Sequence, residues 1–215
     1  MAGRRRAPRA PTIPRIALLI IAALCAVLFA AYFMKRWAKI ARPHFQKGMT
    51  YATWTQDALG SAASDASLAR LAATGAAWVA LVPTWYQRHY DSTEIAPTEK
   101  SPTDESLVHA IQQAHQLGLA VMLKPHLDLS EGAGINWRGE IDFPNDPAAW
   151  HTWFTSYQHF ILHYATLAQE HRVAVFCVGT ELMSAAVWHE ALWRDLIARV
   201  RAVYDGPLTY AANWN

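Results

Sequence analysis

Short apolar segments alternate with helix-like segments along most of this chain, and that alternation restricts its possible folds more than any other feature. The apolar segments have the length of strands and occupy residues 48–53, 77–82, 119–123, 173–178 and 208–212. Apolar residues at helical spacing lie between them, in residues 64–73, 101–118, 150–167 and 191–203. This order predicts a parallel sheet whose strands are joined by crossover helices.

The long and polar connections all follow strands, and they include a loop predicted over residues 84–103 and a polar exit predicted over residues 124–129. The connections from a helix to the next strand are short. That asymmetry is typical of a (β/α)8 barrel, in which function lies at the carboxyl ends of the strands. A doubly wound sheet is the alternative, but residues 50–61 contain no glycine-rich phosphate loop. A barrel usually needs about 250 residues, which is more than residues 48–215 supply. We therefore expect an α/β fold, a TIM barrel truncated after about strand five. Such a fragment is expected to fold poorly on its own.

Residues 16–34 form an apolar run without a charged side chain. A helix of this length approaches the roughly 30 Å thickness of a bilayer's hydrocarbon core. We predict a transmembrane signal anchor there, between a basic segment (residues 1–15) and a linker (residues 35–47). The alternative is a cleaved signal peptide, whose apolar core is usually shorter. We expect a single-pass protein of the cell membrane, with the domain of residues 48–215 on the extracytoplasmic side.

Charge and cysteine content exclude several classes of protein. The formal net charge is only +2, and much of the basic excess flanks the apolar run, so nucleic acid is not an expected partner. Cys25 and Cys177 lie in unrelated apolar contexts, which argues against a disulfide framework. The histidines are scattered, and we predict neither a metal nor another cofactor.

Tryptophan is unusually frequent, with 10 residues in 215. Large aromatic rings serve either as core residues or as platforms on which the C–H faces of sugars stack. Rings near strand ends are candidates for the second role, although a core role is the alternative for each of them. The candidates for substrate binding are Trp54, Trp85, Tyr86, Trp137 and Trp214.

Glu181 is the leading candidate for catalysis. It comes directly after an apolar strand and a glycine, so its carboxylate is expected at the carboxyl end of the sheet, in apolar surroundings. Burial favours the protonated form of a carboxyl group, which suits a general acid. The alternative is a glutamate in the first turn of a helix, favoured there by the helix dipole.

His126 and Asp128 lie two residues apart in the extended segment that follows the third strand. Side chains at that spacing can face the same side of the chain. We regard both as candidates for substrate binding, and the alternative is a pair that fixes the loop.

Eight short motifs lie at the predicted strand ends and loops. They are GMTYATW (48–54), WVALVPTWYQ (78–87), STEI (92–95), SPTDESL (101–107), VMLKPHLDL (121–129), WRGEI (137–141), VGTEL (178–182) and LTYAANW (208–214). Together they resemble family 113 of the glycoside hydrolases, whose members are (β/α)8 barrels with retaining endo-β-1,4-mannanase activity. The resemblance extends from about residue 46 to the last residue.

The resemblance implies a double-displacement mechanism on an oligo- or polysaccharide, β-1,4-mannan or a related β-glycan. The family's acid/base is a glutamate that ends strand four, and Glu181 matches it. The nucleophile is a glutamate that ends strand seven. No carboxylate in residues 182–215 is predicted to end a strand, so we expect the nucleophile to be missing and this fragment alone to be inactive. Thr180 replaces an asparagine that binds the sugar 2-hydroxyl in related hydrolases, and we expect Asn213 to serve instead.

Two other functions remain open from the sequence. One is a non-catalytic carbohydrate-binding or scaffold protein on the same fold. The other is a membrane-tethered assembly partner that completes its barrel with another chain. The sequence does not determine the oligomeric state.

Overall fold

The computed structural model describes residues 45–131 and 136–213, which contain seven strands and five helices. The strands are β1 (Gly48–Ala52), β2 (Trp78–Val82), β3 (Thr84–Gln87), β4 (Ala120–Leu123), β5 (His126–Leu129), β6 (Val175–Thr180) and β7 (Leu208–Ala211). The helices are α1 (Ala62–Ala73), α2 (Asp104–Gln116), α3 (Pro147–Glu170), α4 (Met183–Trp188) and α5 (Glu190–Val203). Two short 3-10 turns occupy Ala58–Gly60 and Arg138–Glu140.

The predicted anchor of residues 16–34, the segment of residues 1–15, the linker up to residue 44 and Trp214 lie outside the described residues. Within residues 45–131 and 136–213, no helix combines the length and the apolar character that crossing a bilayer requires.

Five of the strands form one parallel sheet in the order β1-β2-β4-β6-β7, so that neighbours in space follow one another along the chain. That order is the one found in a (β/α) barrel. A doubly wound sheet instead reverses its strand order part-way across. The predicted α/β fold of the TIM-barrel type is therefore confirmed over these five strands, and the doubly wound alternative is excluded.

Pro83 and Pro125 interrupt two neighbouring strands of the sheet at the same level. After each proline the chain continues as a strand, so that β3 extends β2 and β5 extends β4. β3 and β5 pair in parallel with the same offset as β2 and β4. The loop predicted over residues 84–103 and the polar exit predicted over residues 124–129 therefore each contain a second strand segment. Proline has no N–H to donate and breaks the apolar pattern, which explains the error.

Side-chain caps determine where three of the helices begin. The side chains of Ser61, Thr103 and Asp146 each accept a hydrogen bond from the backbone N–H three residues later, at the start of α1, α2 and α3. Gly75 and Gly118 follow α1 and α2 with φ angles of 81° and 75°, a conformation that glycine adopts without a steric penalty. The four predicted helices are confirmed to within a few residues, and α4 is an additional helix.

The aromatic side chains of α3 fix the strands that lead to the carboxyl end of the sheet. Trp153 and Tyr157 stack with ring centroids 4.8 Å apart. Trp153 donates a hydrogen bond from Nε1 to Oε1 of Gln87 at 2.8 Å, and the Tyr157 hydroxyl donates to the Val178 carbonyl oxygen at 3.0 Å. Because these polar groups are buried, the two hydrogen bonds offset the cost of removing them from water. α3 thus positions both β3 and β6.

Candidate active site

Three charged side chains meet at the carboxyl ends of β5 and β6. Arg138 donates from Nη1 to Oε2 of Glu181 at 2.8 Å and from Nη2 to Oδ2 of Asp128 at 3.1 Å. Asp128 and Glu181 are separated by the same number of residues as Leu123 and Phe176, which are paired between β4 and β6. The two carboxylates therefore lie at the same level of neighbouring strands, and a single guanidinium bridges them.

Arg138 is held by a third contact, in which Nε donates to the Leu127 carbonyl oxygen at 2.9 Å. Its side chain is 17% exposed, whereas those of Asp128 and Glu181 are 38% and 32% exposed. The planar guanidinium presents its donors in a fixed geometry, so these three contacts determine the orientation of both carboxylates. The cation is less exposed than the two carboxylates, which remain partly open to solvent.

The turn that carries Arg138 is fixed by Glu140. Oε2 of Glu140 accepts a hydrogen bond from the Asn136 side-chain amide at 3.0 Å and another from the Trp137 backbone N–H at 3.2 Å. The Trp137 indole lies over Gly139, where a Cβ atom would overlap the ring. Trp137 is 42% exposed, so part of its ring surface faces solvent next to Arg138.

Glu181 has an uncommon backbone conformation, with a φ angle of 56°. A residue with a Cβ pays roughly 1–2 kcal/mol in this left-handed region, so neighbouring contacts must maintain it. Its N–H donates to the Ala211 carbonyl oxygen at 2.9 Å, and the next N–H, that of Leu182, donates to the Tyr210 hydroxyl oxygen at 2.9 Å. Residues of β7 therefore hold the chain reversal that presents Glu181.

Tyr210 is in turn fixed by its packing. Its ring meets Trp193 edge-on, with centroids 5.6 Å apart. Both rings close over Gly179, where a Cβ atom would lie 2.7 Å from Tyr210 and 2.8 Å from Trp193. Trp193 also donates from Nε1 to the Ala185 carbonyl oxygen in α4 at 2.8 Å. The glycine two residues before Glu181 thus makes room for the rings that position it.

His126 and Tyr86 lie close to the charged groups. Burial lowers the pKa of His126 to about 3, and the positive charges of Arg138 and Lys124 act in the same direction. The buried Nε2 of His126 has no hydrogen-bond partner among the described residues. Tyr86 pairs with Asp128 across β3 and β5. Burial raises the pKa of Tyr86, and the Asp128 carboxylate adds to this effect. The imidazole is therefore neutral and the phenol protonated near pH 7.

Trp85 belongs to the core, which corrects its predicted place at the rim of the site. It is 7% exposed, and its Nε1 donates to the Tyr164 hydroxyl oxygen of α3 at 2.9 Å. Because β3 is a strand, consecutive side chains point to opposite faces. Trp85 therefore faces α3, while its neighbour Tyr86 faces Asp128.

The other predicted binding residues are less closely connected to this centre. Trp54 follows β1 and is 65% exposed, and Asn213 follows β7. Within the described part of the chain, no hydrogen bond joins either side chain to Arg138. Their roles in substrate binding stay predictions, as does that of Trp214. No three His, Cys, Asp or Glu side chains of residues 45–131 and 136–213 are grouped so as to hold a metal ion.

Arg138 and Tyr210 are the two residues of this site that the sequence reasoning missed. Both lie inside the quoted motifs. Neither is a lone carboxylate at the end of an apolar strand, which is the signal that identified Glu181. The expectation of apolar surroundings for Glu181 was wrong, because the guanidinium of Arg138 contacts it from a loop that is distant in the sequence. The nearest sequence signal for Arg138 is a single arginine between an aromatic residue and a glycine, in the loop after Asp128.

Charged side chains at the carboxyl ends of parallel strands, in a sheet that follows chain order, are typical of (β/α)-barrel enzymes. A profile of Glycoside Hydrolase Family 113 matches residues 49–215, and the chain belongs to this family. No curated protein sequence is significantly similar to it.

Solved structures of the same family are similar to the chain. The family 113 β-mannanase AaManA from Alicyclobacillus acidocaldarius, in complex with ManMIm, shares 37% sequence identity with a TM-score of 0.73. A complex structure of a family 113 β-1,4-mannanase shares 32% identity with a TM-score of 0.70. The matches cover 79% and 78% of this chain but only 55% of either mannanase. The chain thus spans about half the length of these relatives.

Proposed function

We propose that the protein containing this chain is a retaining glycoside hydrolase that cleaves β-1,4-mannan or a related β-glycan, with Glu181 as the general acid/base. The observation that carries the proposal is the position of Glu181 in a chain of family 113. Glu181 follows β6, and a hydrogen bond from Arg138 orients its carboxylate. The similarity to β-mannanases supports the substrate class.

In this mechanism Glu181 protonates the glycosidic oxygen while a second carboxylate attacks the anomeric carbon. The resulting glycosyl-enzyme ester is hydrolysed by a water molecule that Glu181 deprotonates. In retaining enzymes the two carboxyl groups lie about 5–5.5 Å apart. The contribution of Arg138 is to fix the Glu181 carboxylate where the leaving oxygen can reach it, because correct orientation lowers the barrier to proton transfer.

The nucleophile is not one of the carboxylates that follow Glu181 in the sequence. Glu190 and Asp195 form ion pairs with arginines on the surface of α5, and Asp205 accepts a hydrogen bond from Gln169 in the turn after α5. None of the three lies at the carboxyl end of a strand. We therefore assign the nucleophile to the part of the full-length protein that corresponds to the uncovered 45% of the mannanases.

A test is the Glu181→Gln variant of the full-length protein, assayed on β-1,4-mannan. We expect kcat to fall about 100- to 10,000-fold, because the amide cannot donate and accept the proton. Azide should restore turnover of an aryl glycoside with a good leaving group, since it attacks the glycosyl-enzyme without base catalysis. The matched control is Glu190→Gln, an exposed glutamate on α5, which should retain activity.

Three results would contradict the proposal. Full activity of Glu181→Gln would remove the acid/base assignment, and an inverted anomeric product by NMR would remove the retaining mechanism. Binding of mannan by the wild type without cleavage would instead favour the non-catalytic carbohydrate-binding protein.

We also propose that residues 16–34 anchor the protein in the cell membrane, with the hydrolase domain on the extracytoplasmic side. The uncharged run of these residues supports this. We expect the full-length protein to stay in the membrane pellet after alkaline carbonate washing, and external protease to digest the domain. Release by carbonate, or protection from external protease, would contradict the anchor or the orientation respectively.

A further inference from the structure

A surface depression of about 290 Å³ has walls that come from the loop before α3 and from the junction of α4 with α5. This volume is near the lower end of the roughly 300–1,000 Å³ of small-molecule pockets. Its lining includes Asp142, Phe143, Trp150, His151, Trp188 and His189.

The floor of the depression is aromatic. Trp150 meets Phe143 edge-on with ring centroids 5.0 Å apart, and its ring lies 4.0 Å from that of His189. Trp150 is only 5% exposed, so these rings are fixed by the core beneath them. The floor therefore needs little ordering when a ligand binds.

Trp188 stands at the rim of the depression and is 76% exposed. A second, wider depression of about 580 Å³ lies beside the same residue and shares His151 and His189 with the first. An indole in this position offers a large, rigid apolar surface to a ligand at low conformational cost.

Hydrogen-bonding groups surround the aromatic floor. The Asp142 carboxylate accepts a hydrogen bond from the Phe143 N–H at 2.9 Å through Oδ1, and a carboxylate has further acceptor sites. Burial lowers the pKa of His189, although the charge of Asp142 acts in the opposite direction. A neutral imidazole offers one donor and one acceptor. Hydroxyl groups match such a set better than a fixed cation or anion does.

The depression lies at the carboxyl end of the sheet, as Glu181 does, and α4 also contacts the turn that carries Arg138. Its first wall follows β5 and the turn that carries Arg138, and its second wall is the helix that begins two residues after Glu181. Trp188 ends that helix, so at 1.5 Å per residue it lies roughly 8 Å along the helix axis from Met183.

We propose that Trp188 and the depression beside it form a remote subsite for one hexopyranose ring of a β-linked glycan chain that also occupies the active site. The apolar face of the sugar stacks on the aromatic side chains, and its hydroxyl groups bind Asp142 and His189. This inference rests on the proposed function, since it assigns part of the same substrate.

The test compares long and short substrates in the full-length protein carrying Trp188→Ala. The control is Val187→Ala, a neighbour on α4 that is 61% exposed and does not line the depression. For Trp188→Ala we expect kcat/KM to fall roughly five- to tenfold on mannan and mannohexaose. On an aryl β-mannoside with a good leaving group, which offers a single sugar ring and cannot span both sites, it should stay within twofold of the wild type. An equal fall on both substrates, or no fall on either, would overturn the subsite.

A binding measurement separates this inference from the proposed function. Affinity electrophoresis in gels containing soluble β-mannan should show weaker retardation of Trp188→Ala than of Val187→Ala. If the wild type does not cleave mannan but this difference appears, the proposed hydrolase fails and the sugar site stands. If mannan is cleaved and the two variants are retarded equally, the hydrolase stands and the subsite is wrong.

Discussion

Gly179→Ala is the substitution whose effect follows most directly from the structure. The added methyl group would lie 2.7 Å from the Tyr210 ring and 2.8 Å from the Trp193 ring, so at least one ring must move. Overpacking of this kind costs about 1–3 kcal/mol. Alanine loses less backbone entropy than glycine on folding, which returns about 0.4–1 kcal/mol. We expect a net loss of about 1–2 kcal/mol in the free energy of unfolding.

The assay is reversible urea unfolding of the full-length protein, followed by tryptophan fluorescence. The midpoint should fall while the slope m stays the same, because the surface exposed on unfolding does not change. Gly60→Ala is the matched control, since its Cβ would make only an ordinary contact of 3.5 Å with Ser106. If Gly179→Ala unfolds at the same urea concentration as Gly60→Ala, the packing of Tyr210 and Trp193 over Gly179 is refuted.

Three further predictions concern the residues around Glu181. Arg138→Lys should lower kcat on mannan roughly 10- to 100-fold without shifting the urea midpoint by much, because a lysine cannot bridge Glu181 and Asp128 with the fixed geometry of a guanidinium. Unchanged steady-state kinetics would contradict this. Tyr210→Phe should lower the free energy of unfolding by about 1–3 kcal/mol, because the Leu182 N–H loses its partner, and urea titration checks it. The pKa of His126 is about 3 in the folded state, and its ordinary value is 6.5. As the pH drops from 6.5 towards 3 the unfolded state therefore binds the proton first, and the free energy of unfolding falls. His126→Gln should flatten that dependence of the urea midpoint on pH; an identical pH profile would show that His126 does not contribute.

The order of strands and helices was predictable because it depends on local apolar patterns. Each of the five sheet strands is a short apolar run, and helices such as α1 and α2 end at glycines that the sequence displays. β3 and β5 were hidden because a proline separates each from the preceding run, and because their side chains are partly polar. β3 and β5 pair with each other although they are distant in the sequence, and a local pattern cannot predict such a pairing.

The candidate site was predictable only where a residue's role follows from its place on a strand. Glu181 and Asp128 end strand segments, and the sheet brings them to the same level. Arg138 reaches them from a turn ten residues beyond Asp128, and such a contact depends on how the loop folds back. The sequence predicts a loop over residues 84–103, and because side chains do not alternate regularly in a loop, it gives no sign that Trp85 faces the core.

Pro83 and Pro125 have a consequence for the engineering of this fold. Below the prolines, β2 and β4 belong to the main sheet, while above them β3 and β5 carry Tyr86 and Asp128. We expect that β3 and β5 can be exchanged together between relatives while the pairing of β2 with β4 is kept. The exchange must include part of α3, because Gln87 is hydrogen-bonded to Trp153 and Trp85 to Tyr164. Chimeras that exchange the strands without these helix positions would leave buried polar groups unpaired.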